Sequence, residues 1–219
     1  MAKIKAVIFI LSKIRREALG SSLCDREKEI EKRIDYGLQM IVKETTLKGC
    51  YIIEPTIHRD DRGYFYESYH KEKFEKAINE KIHFVQDNQS RSKRGVLRGI
   101  HFQKGEYAQA KLVRVLQGEV LDVVVDLRKD SKTFGQHETI LLSEKNKKQL
   151  YVPKGFGHGF ITLTETSEFS YKCDNYYHKE SESGIIYNDS TLCIDWGIPE
   201  SEIIVSEKDQ LLLSFKALF

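Results

Sequence analysis

The stretch Leu112-Val-Arg-Val-Leu-Gln-Gly-Glu-Val-Leu-Asp-Val-Val-Val-Asp-Leu127 is made largely of β-branched and aliphatic residues around a central Gln-Gly pair. Such residues favour strands, because their side chains pack well on a pleated surface. The pair Gln117-Gly118 is a turn signal between the two apolar runs. We therefore predict two strands, Leu112–Leu116 and Val120–Leu127, joined as a hairpin.

The same pattern continues on both sides of this stretch, with turn signals such as Asp60–Gly63 and Lys154–Gly155 between short apolar runs. The strands predicted from these runs are Cys50–Ile53, Tyr64–Tyr69, His83–Gln86, Val96–Phe102, Lys111–Leu116, Glu119–Leu127, Glu138–Leu142, Gln149–Val152, Gly159–Leu163 and Glu168–Cys173. One short helix is predicted over His70–Asn79. Many short strands with little helix indicate a sandwich or barrel, a fold that can enclose one ligand pocket.

Residues 1–40 differ from the rest of the chain. Ala6–Leu11 is predicted to be a short buried strand or the start of a helix. Residues 22–38 follow a helical spacing that continues through Ile41 on one apolar stripe. We predict two regions: an appendage over 1–40, for packing or oligomerisation, and the main β domain over 41–219.

Composition excludes several classes of protein. The 219 residues include 35 basic and 33 acidic side chains, a net charge of +2, so no nucleic-acid-binding surface is implied. The apolar run Ala6–Leu11 is too short to span a bilayer, and no signal-peptide cleavage site follows it. Four scattered cysteines indicate reduced thiols. These features predict a cytoplasmic protein with no membrane partner.

The segment Gly95–Gln103 places His101 between two cations, Arg98 and Lys111. Charged groups in a half-buried strand cost several kcal/mol unless partners compensate. Neighbouring cations keep an imidazole neutral, which is the form that a general base needs. The alternative is a histidine with a purely structural role. Gln103 stands where a second histidine would make a His-x-His metal motif.

Two further side chains are candidates for chemistry. Tyr171 lies in a tyrosine-rich strand end, which is either an aromatic stripe or the position of a phenol donor whose pKa a cationic pocket lowers. Arg62 follows two aspartates in a turn, where it is either solvated or available for bidentate phosphate binding.

The segment Pro153–Phe160 resembles the second motif of the cupin superfamily, Pro-x-Gly-x-x-His, with His158 as its histidine. Metal-binding cupins add a His-x-His pair and a glutamate from a first motif. Here Gln103 replaces one histidine, and Tyr107 or Ala108 stands at the expected glutamate. Two imidazoles are too few for the usual three-ligand site, so we expect no catalytic metal.

Seven ordered motifs between Ile41 and Leu213 resemble those of the dTDP-4-dehydrorhamnose 3,5-epimerases. They are Asp60–Glu67, Phe84–Asn88, Ser92–Gln103, Ala108–Lys111, Pro153–Phe160, Phe169–Lys172 and Ser206–Asp209. The resemblance implies a mainly β, cupin-type jelly-roll barrel with a few short helices. It also implies epimerisation of dTDP-4-dehydro-6-deoxy-D-glucose at C3 and C5, by proton abstraction next to the C4 ketone and reprotonation on the opposite face.

The resemblance also assigns roles to residues. His101 matches the general base, and Asp209 matches the carboxylate that orients it. Tyr171 matches the acid on the opposite face, and Lys111 the cation that stabilises the enolate. The positions that match substrate-binding residues are Arg62, Glu67, Gln86, Asn88, Arg98, His158, Tyr177, Glu182 and Lys208. The family implies no cofactor, no metal, and a homodimer that exchanges a strand between its subunits.

Three alternatives remain open from the sequence. A single-carbon epimerase or a 3,4-ketoisomerase of a dTDP-4-keto-6-deoxy sugar uses similar residues. A non-catalytic sugar-nucleotide-binding protein would lack the base or the acid, yet a candidate for each is present. A metal-dependent cupin is disfavoured by the small number of candidate ligands.

Overall fold

The part of the chain that the structure describes, residues 40–219 of a computed structural model, is built mainly of antiparallel strands. The strands are β1 (Ile41–Glu44), β2 (Tyr51–Glu54), β3 (His58–Asp60), β4 (Gly63–Phe65), β5 (Gln86–Lys93), β6 (Leu97–Gln103), β7 (Lys111–Gln117), β8 (Glu119–Asp126), β9 (His137–Ser143), β10 (Gln149–Val152), β11 (Phe156–Thr162), β12 (Thr166–Cys173) and β13 (Glu182–Gly184). The helices are α1 (Lys71–Ile78), α2 (Glu207–Gln210) and α3 (Phe215–Leu218). The strand and helix predicted before residue 40 lie outside the described residues.

Two sheets form a jelly-roll sandwich. One has six strands in the order β1-β2-β10-β7-β12-β5, and the other has five in the order β13-β6-β11-β8-β9. A separate two-stranded hairpin, β3-β4, carries an exposed turn. The predicted mainly β jelly roll is therefore confirmed for this part of the chain, in which no helix is long and apolar enough to cross a membrane.

Strand β8 shows that the five-stranded sheet lies between two hydrophobic cores. Val120 and Val124 pack into the core between the two sheets. Val123 and Val125 face the other way, into a second core that includes Trp196. Because successive side chains of a strand point to opposite faces, an apolar run such as β8 is buried on both sides.

The predicted hairpin between β7 and β8 is wrong. Both strands form, but β7 pairs with β10 and β12 in the six-stranded sheet, whereas β8 pairs with β11 and β9 in the five-stranded sheet. The chain crosses between the sheets at Gly118, whose φ is +77°. A Cβ atom there would lie 2.2 Å from the carbonyl oxygen of Thr166, so the chain needs a glycine at this position. The predicted turn is therefore present, but the two strands that it joins do not pair with each other.

The predicted strands His83–Gln86 and Tyr64–Tyr69 are also misplaced. The strand in the first region is β5, whose sequence QDNQSRSK is polar and lacks the expected apolar alternation. As the edge strand beside β12, it leaves many side chains at the surface. In the second region only Gly63–Phe65 is extended, and Ile41, which was placed on a helical stripe, begins β1.

The predicted helix at His70–Asn79 is confirmed, with its ends at Lys71 and Ile78. The His70 side chain accepts a hydrogen bond from the backbone N–H of Lys73, and Asn79 ends the helix in the left-handed conformation. Phe74 is buried and packs edge-on against Tyr151 of β10. The helix thus covers part of the six-stranded sheet.

Candidate active site

A cavity of about 530 Å³ opens between the two sheets. The five-stranded sheet contributes side chains from β6 and β11, and the six-stranded sheet contributes them from β5, β7 and β12. Helix α2 closes one side. The sequence-predicted residues that line this cavity are Arg98, His101, Lys111, His158, Tyr171, Lys208 and Asp209.

An irregularity in β6 places Arg98 and His101 in the same cavity. Residues three apart on a regular strand face opposite sides. Here His101 pairs with His158 and Arg98 pairs with Phe160, so three steps along β6 oppose two along β11. Such a bulge changes the direction of the side chains that follow it.

Gly99 lies within this bulge, with φ at +129°. A Cβ atom there would be 2.5 Å from the Cα of Gly159. Gly99 and Gly159 let β6 and β11 approach closely. The close approach of these two strands holds His101 and His158 next to each other.

His101 and Asp209 form a close pair. His101 Nε2 lies 2.7 Å from Asp209 Oδ1, and the Gly99 backbone N–H donates to Oδ2 at 3.5 Å. Burial raises the pKa of Asp209, but the hydrogen bond and charge of His101, the Gly99 N–H and the charge of Lys208 together outweigh it and bring that pKa below its ordinary value. The carboxylate is therefore ionised and accepts the Nε2 proton, which leaves Nδ1 with a free lone pair.

Lys111 and Tyr171 lie together on the opposite sheet. The Lys111 Nζ is 5.9 Å from the centre of the Tyr171 ring. Burial lowers the pKa of Lys111 and raises the pKa of Tyr171. The expectation that a cationic pocket lowers the pKa of Tyr171 is wrong in its net result, because Arg98 acts in that direction but burial outweighs it. The phenol is held protonated, which is the state that a proton donor needs.

The structure pairs His158 with Asp122, which the sequence analysis did not select. His158 Nε2 lies 3.0 Å from both carboxylate oxygens, and both residues are buried. Burial raises the pKa of Asp122, and the attraction of His158 opposes that shift. The sequence did carry a signal: Asp122 is a carboxylate between Val120 and Val124, on the face of β8 that points into the core.

Ser92 is a second residue that the sequence analysis missed. Its buried hydroxyl oxygen accepts a hydrogen bond from Arg98 Nε at 3.1 Å, which fixes the direction of the guanidinium.

A second cavity, of about 320 Å³, adjoins the first and shares His101, Lys111 and Tyr171 with it. The other sequence-predicted residues in its wall are Gln86, Asn88, Tyr177 and Glu182. The Tyr177 hydroxyl donates to Glu182 Oε2 at 2.7 Å, and Lys208 pairs with the same carboxylate. The two cavities together form one elongated site.

Arg62 and Glu67 are not brought to either cavity of their own chain. Arg62 lies in the turn of the β3-β4 hairpin, where its side chain is 90% exposed and pairs with Asp60. Glu67 pairs with Lys73 of helix α1 at 2.8 Å. The remaining predicted site residues all line at least one of the two cavities.

Within residues 40–219 there is no cluster of three or more His, Cys, Asp or Glu side chains that could hold a metal ion. Gln103, at the position of the missing second histidine, accepts a hydrogen bond from the backbone N–H of His178 at 3.4 Å. The Nε2 atoms of His101 and His158 are each occupied by a carboxylate. An imidazole whose Nε2 is hydrogen-bonded to a carboxylate is suited to proton transfer through its other nitrogen.

A jelly roll whose cavity holds a histidine–aspartate pair, a lysine and a protonated tyrosine defines a cupin-type isomerase. Residues 44–217 match the family model described as dTDP-4-dehydrorhamnose 3,5-epimerase. The chain belongs to this family of sugar-nucleotide epimerases.

Individual relatives agree with this assignment. The dTDP-4-dehydrorhamnose 3,5-epimerase of Escherichia coli (strain K12) is 50% identical over 180 residues, which cover 82% of this chain and 96% of the relative. A crystal structure of the enzyme from Elizabethkingia anophelis is 58% identical with a TM-score of 0.79, covering 82% of this chain and 98% of that one. The Legionella pneumophila enzyme, solved in complex with dTDP-4-keto-L-rhamnose, is 46% identical with a TM-score of 0.79, covering 83% and 95%.

Proposed function

We propose that this chain epimerises dTDP-4-dehydro-6-deoxy-D-glucose at C3 and C5 to dTDP-4-dehydro-L-rhamnose, with His101 as base and Tyr171 as acid. The observation that carries the proposal is their placement. His101 comes from the five-stranded sheet and Tyr171 from the six-stranded sheet, so they line opposite walls of one cavity. Inversion requires this separation, because a proton returned to the face it left restores the starting sugar.

In the proposed reaction His101 Nδ1 removes the proton from the carbon next to the C4 ketone. The C–H electron pair forms a C=C bond, and the carbonyl electrons move to the C4 oxygen as an enolate. Lys111 stabilises that negative charge from a fixed position. The enolate then collapses to the ketone as Tyr171 gives its proton to the opposite face of the same carbon. Solvent returns a proton to Tyr171 and takes one from His101, and the cycle repeats at the second carbon.

The buried charges support these roles. Asp209 holds the imidazole ring and stabilises the imidazolium that forms when His101 takes a proton. Arg98 and His158 stand in the same cavity, where they can contact the ketone oxygen or the phosphates. Gln86, Asn88, Tyr177, Glu182 and Lys208 are proposed to hold the nucleotide in the adjoining cavity; all but Lys208 line it, and Lys208 pairs with Glu182.

We also propose that the active form is a homodimer in which the β3-β4 hairpin reaches the partner's site. Arg62 and Glu67 lie away from the cavities of their own chain, and the hairpin exposes Tyr64 and Phe65. Exposed aromatic side chains beside an arginine are typical of interfaces. The proposal places the dimer in the cytoplasm, with a small sugar nucleotide and no nucleic acid as its partner.

Incubation with the 4-keto sugar nucleotide in D₂O tests the reaction. Proton NMR should show loss of signal at both C3 and C5 and the appearance of the L-rhamno product. His101→Asn should abolish deuterium uptake at both carbons while the substrate still binds. Exchange that persists in this variant would contradict the base assignment.

The same spectra separate the alternatives. Exchange and inversion at one carbon alone indicate a mono-epimerase. Movement of the ketone from C4 to C3 indicates a ketoisomerase. Tight binding without exchange indicates a binding protein. Each of these results contradicts the proposed 3,5-epimerisation.

A further inference from the structure

Tyr107 and His178 form a close stack beside the elongated site. Their ring centres are 3.8 Å apart and their planes differ by 9°. His178 is fixed on its other edges, because Nδ1 lies 3.0 Å from the Ser181 hydroxyl and Nε2 lies 3.4 Å from Glu180. Neither Tyr107 nor His178 lines either cavity, so neither is placed to contact the substrate.

The stack joins the two loops that cross between the sheets at one end of the sandwich. Loop 104–110 leads from β6 in the five-stranded sheet to β7 in the six-stranded sheet, and loop 174–181 returns from β12 to β13. The loops start and end on paired strands, since Glu182 of β13 pairs with Gln103 of β6 and the end of β12 pairs with the start of β7. They therefore run side by side, and the stack is the aromatic contact between them.

Hydrogen bonds flank the stack on both sides. Asn175 Nδ2 donates to the Glu106 carbonyl at 2.8 Å, and Gln109 Nε2 donates to the Asn175 carbonyl at 2.8 Å. Gln103 accepts from the His178 backbone N–H. The stacked rings add an apolar contact to the hydrogen bonds that join the two loops.

Tyr177 immediately precedes His178 in loop 174–181. Its backbone N–H donates to Gln86 Oε1 at 3.2 Å, and its hydroxyl donates to Glu182. Tyr177 is otherwise 51% exposed, so the direction of its ring depends on where the loop holds its backbone.

We propose that the Tyr107–His178 stack is a clasp that positions Tyr177 and Glu182 for the nucleotide part of the substrate. Tyr107 and His178 are positioning residues: the clasp acts on binding and leaves the proton-transfer groups unchanged. The inference rests on the proposed assignment of the nucleotide to the smaller cavity.

Four variants test the clasp: Tyr107→Ala, His178→Ala, the double variant, and Tyr107→Phe. We expect each alanine variant to raise the KM for the 4-keto sugar nucleotide and the Kd for dTDP about three- to tenfold, with kcat changed less than about twofold. Tyr107→Phe keeps the ring and should behave as the unchanged protein. The double variant should lose no more affinity than either single variant, because one contact is removed in all three.

Two tyrosines of the same loop complete the design. Tyr176→Ala is the matched control, since Tyr176 is 66% exposed and its ring stacks on no other described ring; it should leave the Kd for dTDP unchanged. Tyr177→Ala tests the nucleotide assignment on its own. If Tyr177→Ala weakens dTDP binding and Tyr107→Ala does not, the clasp is wrong while the assignment stands.

Two other outcomes overturn the clasp. If Tyr177→Ala also leaves dTDP binding unchanged, the nucleotide lies elsewhere and the clasp has no function there. If Tyr107→Ala lowers kcat, lowers the melting temperature and is not rescued by Tyr107→Phe, the stack has only a structural role.

Discussion

His101 and Asp209 are 108 positions apart in sequence, and their side chains lie 2.7 Å apart in the structure. Asp209 is 4% exposed, and a buried carboxylate costs several kcal/mol unless hydrogen bonds and charges compensate. The His101 ring and the Gly99 N–H supply that compensation. At this scale the site contains two buried carboxylates, Asp209 and Asp122, and each is paired with a histidine of the cavity.

Tyr171→Phe is expected to separate the two halves of the reaction. The ring stays in the cavity wall, but the proton donor is gone. Net inversion should fall about 10²- to 10⁴-fold, the usual contribution of a general acid, while deuterium exchange at the abstracted positions falls less. Proton NMR in D₂O measures both rates. The control is Tyr176→Phe, and equal loss of exchange and inversion in Tyr171→Phe would contradict the role of acid.

Lys111 is expected to set the alkaline limit of activity. It stabilises the enolate only when protonated, and burial lowers its pKa from the ordinary lysine value of 10.5. Activity should therefore be present at lower pH and be lost as pH rises through the lowered pKa. Tyr171 cannot set this limit below pH 10, because burial raises its pKa above the ordinary tyrosine value of 10.0.

The pH dependence of kcat in Lys111 variants checks this assignment. Lys111→Arg should move the alkaline limb upward, since a guanidinium does not titrate below about pH 12. Lys172→Arg is the matched control, because Lys172 lies on β12 and pairs with Asp87 at the surface. An alkaline limb that stays in place in Lys111→Arg would mean that another group titrates.

At the scale of the elements, two backbone irregularities build the site. The bulge in β6 turns Arg98 and His101 toward one cavity, and the crossing at Gly118 sends β7 and β8 into different sheets. That crossing puts Lys111 on the wall opposite Asp122 and His158. In both places a glycine occupies a position where a side chain would collide with backbone.

Gly99→Ala is expected to destabilise the protein more than Gly63→Ala. Both glycines have φ at +129°, but a Cβ atom meets nothing within 4 Å at Gly63 and meets the Gly159 backbone at Gly99. The shared backbone conformation costs about 1–3 kcal/mol in each variant, and the collision adds a similar amount only at Gly99. Urea unfolding measures the difference in the free energy of unfolding. If both variants lose the same free energy of unfolding, then β6 and β11 accommodate the added Cβ atom without an energetic cost.

At the scale of the whole molecule, the described chain has an elongated site on one side and an exposed hairpin that serves none of its own cavities. The hairpin contacts the rest of its own chain at Tyr64, whose ring centre lies 4.4 Å from Lys147 Nζ. Its turn carries Arg62 into solvent. In a homodimer with two-fold symmetry each contact occurs twice, so each hairpin would contact the site of the other subunit.

A mixed dimer of an Arg62→Ala chain and a His101→Asn chain tests the exchange. If the hairpin completes the partner's site, one of the two sites in the mixed dimer is intact and the other carries both changes. The mixed dimer, isolated with two different tags, should show about half of the wild-type activity per dimer, although each parent homodimer is weak. If its activity is only the mean of the two parents, the hairpin serves its own subunit.

The sequence by itself determined the local features. Alternating apolar runs and turn residues gave most strands, the helix at His70–Asn79, and the β class of the fold. The motifs around His101 and His158 indicated two candidate residues, and the resemblance of seven ordered motifs to a known family assigned the others. These features are readable because each depends on neighbours only a few positions away.

Only the tertiary structure decided how these pieces meet. Three features join positions that are far apart in the chain. They are the pairing of β7 with β10 and β12, the register shift between β6 and β11, and the pairing of Asp122 with His158. A polar edge strand such as β5 forms because β12 offers it hydrogen bonds, and its own composition does not favour it. Strand pairing is non-local, and burial sets the pKa of Lys111 and Tyr171, so neither could be read from residue order.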